Sequence, residues 1–298
     1  MYYKDGTLYY VSGDSIIALN DDGSSAVIAS GEKLSNICAD DTYVYYRQGT
    51  GIWKTPKEKP MTVDDNPYAS VRLIDTVVSS SDVGVMSIYG FAVVGSDIAY
   101  WGPDSSGVFN IRTCGTDGSL GDLLYSGALT NVQAYGDSVY FSSRNEEDSG
   151  VVYRVSVPTG EFMPVTQFPL SYYAVSSGSV YGCRKVDGVD ELVRINSETG
   201  EPLQRWALGK IDGLFANDEW IYYYINNMPE GGDIFRIHPG DSEAKHVFFD
   251  DSIIMMTGLA GNCFSVYTDI GATVDDRYDN AVHYIFNNET QEQVACDK

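Results

Sequence analysis

The residues best suited to chemistry are carboxylates that stand in turn-rich segments. Glu146, Glu147 and Asp148 are consecutive, Asp187 and Asp190 follow, then Glu230 and Asp233, and Asp269, Asp275, Asp276 and Asp279 close the series. Clustered carboxylates with intervening carbonyls can supply the roughly six to eight oxygens that Ca2+ takes. Asp275-Asp276-Arg277-Tyr278-Asp279-Asn280, with Asp269 upstream, is the local candidate for such an ion. It lacks the Asp-x-Asp-x-Asp-Gly order of an EF-hand loop. The plainer reading is a solvated acidic surface that keeps the chain soluble and monomeric; a basic partner is the third.

Catalytic signatures are missing from the chain. There is no Gly-x-Ser-x-Gly, no His-Glu-x-x-His and no phosphate-cradling glycine loop followed by Lys-Ser/Thr. Of the three histidines, His238 precedes a proline, His246 follows Lys245 and His283 lies within an apolar run. Two carboxylates at a defined separation can hydrolyse a glycosidic bond, but sequence does not set that separation. A calcium-dependent hydrolase or lyase therefore stands as the alternative to binding, and binding is the main reading.

Global charge narrows the partners. With 19 basic and 42 acidic residues the formal charge is −23, which repels a phosphate backbone and an anionic bilayer alike. A nucleic-acid partner is excluded on this ground. Membrane insertion is excluded by length, since no stretch approaches the roughly 18 apolar residues a spanning helix needs. Five cysteines are scattered singly, without zinc spacing. They read as small buried residues, with a Cys263–Cys296 bridge as the alternative for one pair.

These side chains must be positioned by short strands. A Gly/Asp turn followed by an alternating aromatic strand occurs as Asp5-Gly6-Thr7-Leu8-Tyr9-Tyr10 and Asp41-Thr42-Tyr43-Val44-Tyr45-Tyr46. It recurs around Tyr100, Tyr140, Tyr181 and Tyr222, and in degenerate form around Ser265. The spacings from Tyr9 to Ser265 are 36, 55, 40, 41, 41 and 43, the length of a four-stranded blade. A second strand follows each copy, as in Val151-Val152-Tyr153-Arg154-Val155 and Asp233-Ile234-Phe235-Arg236-Ile237, and four of the seven place Arg after an apolar β-former. A sandwich would not repeat a two-strand signature seven times. The sequence therefore predicts an all-β, seven-bladed β-propeller with four antiparallel strands per blade. It is read as one domain, residues 1–298, with blades near 1–33, 34–84, 85–127, 128–169, 170–209, 210–254 and 255–298.

Ala39-Asp40-Asp41-Thr42-Tyr43-Val44-Tyr45-Tyr46 and Ile111-Arg112-Thr113-Cys114 resemble the tyrosine-rich propeller repeats of bacterial exported proteins. They are distantly similar to the Tyr-Trp-Thr-Asp propellers of lipoprotein receptors. Only Tyr100-Trp101 shows the Tyr-Trp pair, and Gly102 replaces its Thr, so no receptor function carries over. The resemblance implies export and a binding role. Met1-Tyr2-Tyr3 falls within an expected innermost strand, so the natural chain is expected to begin earlier and to lose a leader. The expected location is extracellular, cell-surface or periplasmic.

In this fold the loops from second to third strand and from blade to blade share one face, and the carboxylates above fall there. The repeat-locked tyrosines are expected to be core. Off-repeat aromatics near innermost strands, Tyr89, Tyr135, Tyr172, Tyr173 and Phe215, are the candidates for stacking on a sugar or peptide. The long spacing in the second blade marks an insertion around Thr62–Asp65 and Asn66-Pro67-Tyr68, expected between third and fourth strands. The function expected is a non-catalytic propeller that binds a protein, peptide or glycan through an acidic loop face. A structural module of a longer exported protein is a further alternative.

Overall fold

A computed structural model of the chain describes residues 1–57, 71–75, 87–227, 230–251, 253–261, 263–269, 281–287 and 293–297. They form seven sheets, each of four consecutive antiparallel strands, and no helix occurs among them. The sheets occupy residues 2–30, 34–75, 90–127, 129–164, 172–209, 213–250 and 253–297. The chain is thus a seven-bladed β-propeller. It divides into two compact units, Met1–Glu147 with Tyr153–Met163, and Asp148–Val152 with Pro164–Lys298.

Turn chemistry sets the hairpins. Lys4 and Thr7 are joined through Asp5 and Gly6, whose φ values are 50° and 78°; Val186 and Val189 are joined through Asp187 and Gly188, at 52° and 85°. Two successive positive φ values make the two-residue turn whose twist matches antiparallel strands, and Asp-Gly adopts it at low cost. In sheet two the Asp40 carboxylate accepts the Thr42 and Tyr43 amides, both at 2.7 Å, and the Tyr45 hydroxyl at 2.6 Å. Partial burial alone would raise the Asp40 pKa, but these donors outweigh it and hold it below the ordinary value. Asn217 repeats the device in sheet six, accepting the Glu219 and Trp220 amides at 3.0 and 2.6 Å.

Alternation sends successive side chains to opposite faces of a sheet, and both faces are buried where neighbours cover them, as along Ser138–Ser143. In the first unit Tyr9, Ile16 and Val44 share one core, Tyr45, Ile52 and Tyr100 a second, and Ile111, Val139 and Phe141 a third. In the second unit Tyr181, Leu192 and Tyr223 form one core, and Tyr222, Ile254 and Phe264 another. Each of the six repeat tyrosines, Tyr9, Tyr45, Tyr100, Tyr140, Tyr181 and Tyr222, is buried. Sheets are also tied by hydrogen bonds, as from Lys54 Nζ to Thr116 O at 2.7 Å and from Asn217 Nδ2 to Gly261 O at 2.7 Å. Where third-to-fourth strand pairing is described, in six sheets, its register shifts at least once.

One expectation holds and one is corrected. Residues 62–68 fall between the third strand, Gly51–Pro56, and the fourth, Val71–Asp75, as expected, although they lie outside the described part; a second long connection, from Asp75 to Gly90, shares the extra spacing. The Cys263–Cys296 bridge fails on register. Cys263 is opposite Asn287 on the third strand, whereas Cys296 is opposite Tyr284 on that strand's other side. Two strand spacings keep the Cα atoms roughly 10 Å or more apart, beyond the reach of a disulfide.

Burial pushes the Cys38 thiol up to about 11, and burial beside carboxylates pushes Cys114 and Cys183 up to about 12. Only the thiolate is alkylated, so at about pH 8 these three should resist iodoacetamide in the native protein and react fully in denaturant. Peptide mapping that finds native Cys183 labelled as fast as the unfolded residue would contradict this account.

Candidate functional site

The best-built polar site lies in the second unit, at the loop end of sheets five and six. Its foundation is the connection Lys210-Ile211-Asp212, which links the strand Pro202–Gly209 to the strand Gly213–Ala216. Backbone groups in such a link and beside it need partners, and two carboxylates supply one each. Asp190 accepts the Ile211 amide at 2.9 Å, and Asp212 accepts the Asn226 amide at 2.7 Å. Lys210 reaches the Asp212 carboxylate at 2.8 Å and donates to the Asn226 carbonyl. Asn226 then bonds both ways with the backbone of Ile254, Nδ2 to the carbonyl at 2.8 Å and Oδ1 from the amide at 3.0 Å. The loop end is therefore braced from sheet five to sheet seven.

Two phenols stand on this brace. Tyr172 opens the strand Tyr172–Ser176, opposite Cys183, and is 38% exposed. Tyr224 is half-buried opposite Gly213. A Cβ on Gly213 would lie 2.2 Å from the Tyr224 ring, so only glycine lets that ring lie across the backbone. Burial raises both phenol pKa values; the Asp212 charge adds to each, and Tyr172 adds to the shift of Tyr224. At neutral pH both hydroxyls keep their protons and remain donors. Beside them are an ammonium and a carboxylate, so the arrangement offers stacking and directed hydrogen bonds.

The expected site residues are distributed unevenly. Tyr172 and Asp187 reach the loop end of sheet five, Asp187 exposed at its hairpin tip, and Glu230 is exposed in the corresponding connection of sheet six. Asp190 is buried and serves the backbone. Asp233 pairs with His246 Nε2 at 2.8 Å. Tyr173, one step along from Tyr172, faces inward and is 3% exposed, and Phe215 packs beside the core around Tyr222. Tyr135 ends its strand, next to the turn into Ser138, and so lies at the other end of sheet four from the Glu146–Asp148 connection. Tyr89 is exposed and meets Phe109 edge-on at 5.3 Å.

Glu146 and Glu147 are exposed and Asp148 half-buried. Asp275, Asp276 and Asp279 lie outside the described residues, and Asp269 is placed by its backbone alone. Among the described residues no cluster of three metal-ligating side chains occurs. Lys210, Asp212, Tyr224 and Asn226 were not expected. Their signal was position, since 210–212 is a blade-to-blade link and 224–226 ends a second strand.

The chain is a propeller, and this loop end of its second unit carries a cluster of polar and aromatic side chains. No family model matches the chain, and no curated protein matches it. Among solved structures, the β-propeller domain of the trilobed protease from Pyrococcus furiosus is similar with a TM-score of 0.62 at 12% identity, over 99% of this chain and 96% of that one. An acylaminoacyl peptidase in complex with Z-Gly-Gly-Phe-chloromethyl ketone gives 0.64 at 14% identity, over 99% of this chain and 51% of that one. A puromycin hydrolase gives 0.58 at 11%, over 95% and 49%. The chain thus spans about half the length of those two enzymes. At such identities the likeness is one of fold. No helix among the described residues is long and apolar enough to cross a membrane.

Proposed function

We propose that the chain is a non-catalytic, exported binding module that takes a polypeptide segment at the loop end of sheets five and six. The observation that carries this reading is the exposed Tyr172 beside Tyr224, both kept protonated, on a link braced by Asp190, Asp212 and Asn226. A rigid aromatic anchor on a pre-organised base is how a small number of residues comes to dominate an interface. Asp187 and Glu230 are exposed nearby with no cation paired to them among the described residues, which favours lysine or arginine on the partner. A module of a longer exported protein remains a second reading, favoured by the half-length match to the two enzymes.

The test is calorimetric titration with a blocked lysine-serine peptide and, in parallel, with an uncharged oligosaccharide. Peptide binding should weaken several-fold as salt is raised from about 0.05 to 0.3 M, because exposed charges are screened. Tyr172→Ala should weaken it about tenfold or more. Unchanged affinity in Tyr172→Ala, or tighter binding of the sugar, would overturn the reading.

A further inference from the structure

The opposite end of sheet six carries a second site of inverse charge. The repeat places a cation on the third strand, directly across from the buried tyrosine: Lys54 opposite Tyr45, Arg112 opposite Tyr100, Arg194 opposite Tyr181 and Arg236 opposite Tyr222. On its other side each of the first three faces an uncharged residue, Val71, Leu123 or Gln204. Lys54 and Arg194 are satisfied locally, by Thr116 O at 2.7 Å and Ser179 Oγ at 3.1 Å. Sheet six departs from this pattern. Arg236 faces Lys245 across the ladder, an arrangement of like charges that ordinarily destabilises a sheet.

Both cations converge on one indole. The Arg236 guanidinium lies 4.2 Å and the Lys245 ammonium 5.5 Å from the centre of the Trp220 ring. His238 meets the same ring edge-on at 5.5 Å, and its Nδ1 accepts the Gly240 amide at 3.0 Å. The neutral ring therefore carries its proton on Nε2, a third donor at this place. Glu219, Asp241 and Glu243 stand in the adjoining turns, yet no described carboxylate is in ion-pair contact with Arg236 or Lys245. In a chain with 42 acidic residues and 19 basic ones, two adjacent cations without a carboxylate are conspicuous.

We infer that Trp220, Arg236, Lys245 and His238 form a binding site for a carboxylate carried next to an apolar or aromatic group, as at the end of a polypeptide. The guanidinium offers a planar fork that matches a carboxylate, and the lysine adds a mobile charge. The half-buried indole supplies the surface for the apolar part. The net charge of −23 disfavours a polyanion by long-range repulsion, so the fitting ligand carries a single charge. The site lies at the other end of sheet six from the loop end that Tyr172 shares, and does not depend on it.

The experiment follows the four indole N–H resonances of 15N-labelled protein, Trp53, Trp101, Trp206 and Trp220, during titration with N-acetyl-phenylalanine, its amide and inorganic phosphate. The free acid should shift the Trp220 signal saturably, and the amide should bind about tenfold more weakly or worse. Lys245→Gln, at an exposed position, should keep the melting temperature and weaken the acid by a similar factor, whereas Lys210→Gln should not. Arg236→Gln should do the same as Lys245→Gln where it folds. Equal shifts by acid and amide, unchanged affinity in Lys245→Gln, or phosphate as effective as the acid would each overturn the proposal.

Discussion

Tyr222→Ala should lower stability by about 3–5 kcal/mol, the range for removing a large buried aromatic side chain. Tyr222 is wholly buried and lies in one core with Ile234, Ile254, Met256, Phe264 and Val266, its ring 6.4 Å from that of Phe264. Those neighbours belong to sheets held rigid by their own ladders, so the cavity cannot collapse and its cost adds to the lost transfer energy. The urea midpoint should fall without a change in slope. Tyr222→Phe keeps the ring and should lose only about 1 kcal/mol, the worth of a hydroxyl's hydrogen bond. A loss below about 1 kcal/mol for the alanine variant would mean that sheets six and seven do not share this core.

The next largest effect falls on a polar side chain. Asn226→Ala should cost about 2–4 kcal/mol, because it leaves both the amide and the carbonyl of Ile254 without their partner. Asn226→Asp keeps an acceptor for the amide but cannot donate to the carbonyl, and it sets a second carboxylate beside Asp212. It should recover little. Hydrogen exchange at the Ile254 amide distinguishes this cause from a general loss of stability. If that amide stays as protected in Asn226→Ala as in the parent, the brace described above is not what orders the loop end.

The fold was legible because packing repeats. A tyrosine every 40 or so residues reports a core position each time, and alternation around it separates the side chains of one core from those of the next, as with Tyr45 and Tyr46. The site was less so. Tyr172 and Tyr173 are adjacent and chemically alike, yet they point to opposite faces, and only the pairing of Tyr172 with Cys183 and Tyr173 with Gly182 decides which one meets solvent. Asp190 resembles a free loop carboxylate until Ile211, a whole strand later, is seen to need an acceptor. The roles of Asp212 and Asn226 are of the same kind, set by backbone groups that sequence leaves unplaced. Tyr135 stands apart for a simpler reason: strand direction carries it to the end of its sheet away from the Glu146–Asp148 connection.

The shifted pairing of the fourth strands has a consequence for how the molecule meets copies of itself. These strands expose apolar side chains, Leu120 at 84% and Phe249 at 49% among them, on the edges of four-stranded sheets. A straight edge of that kind is a template for a foreign strand and a start for fibre growth. An offset in the ladder twists the edge and interrupts the row of unpaired amides and carbonyls after a few residues. Irregular fourth strands thus act as protection against cross-β stacking in each of the six sheets where their pairing is described.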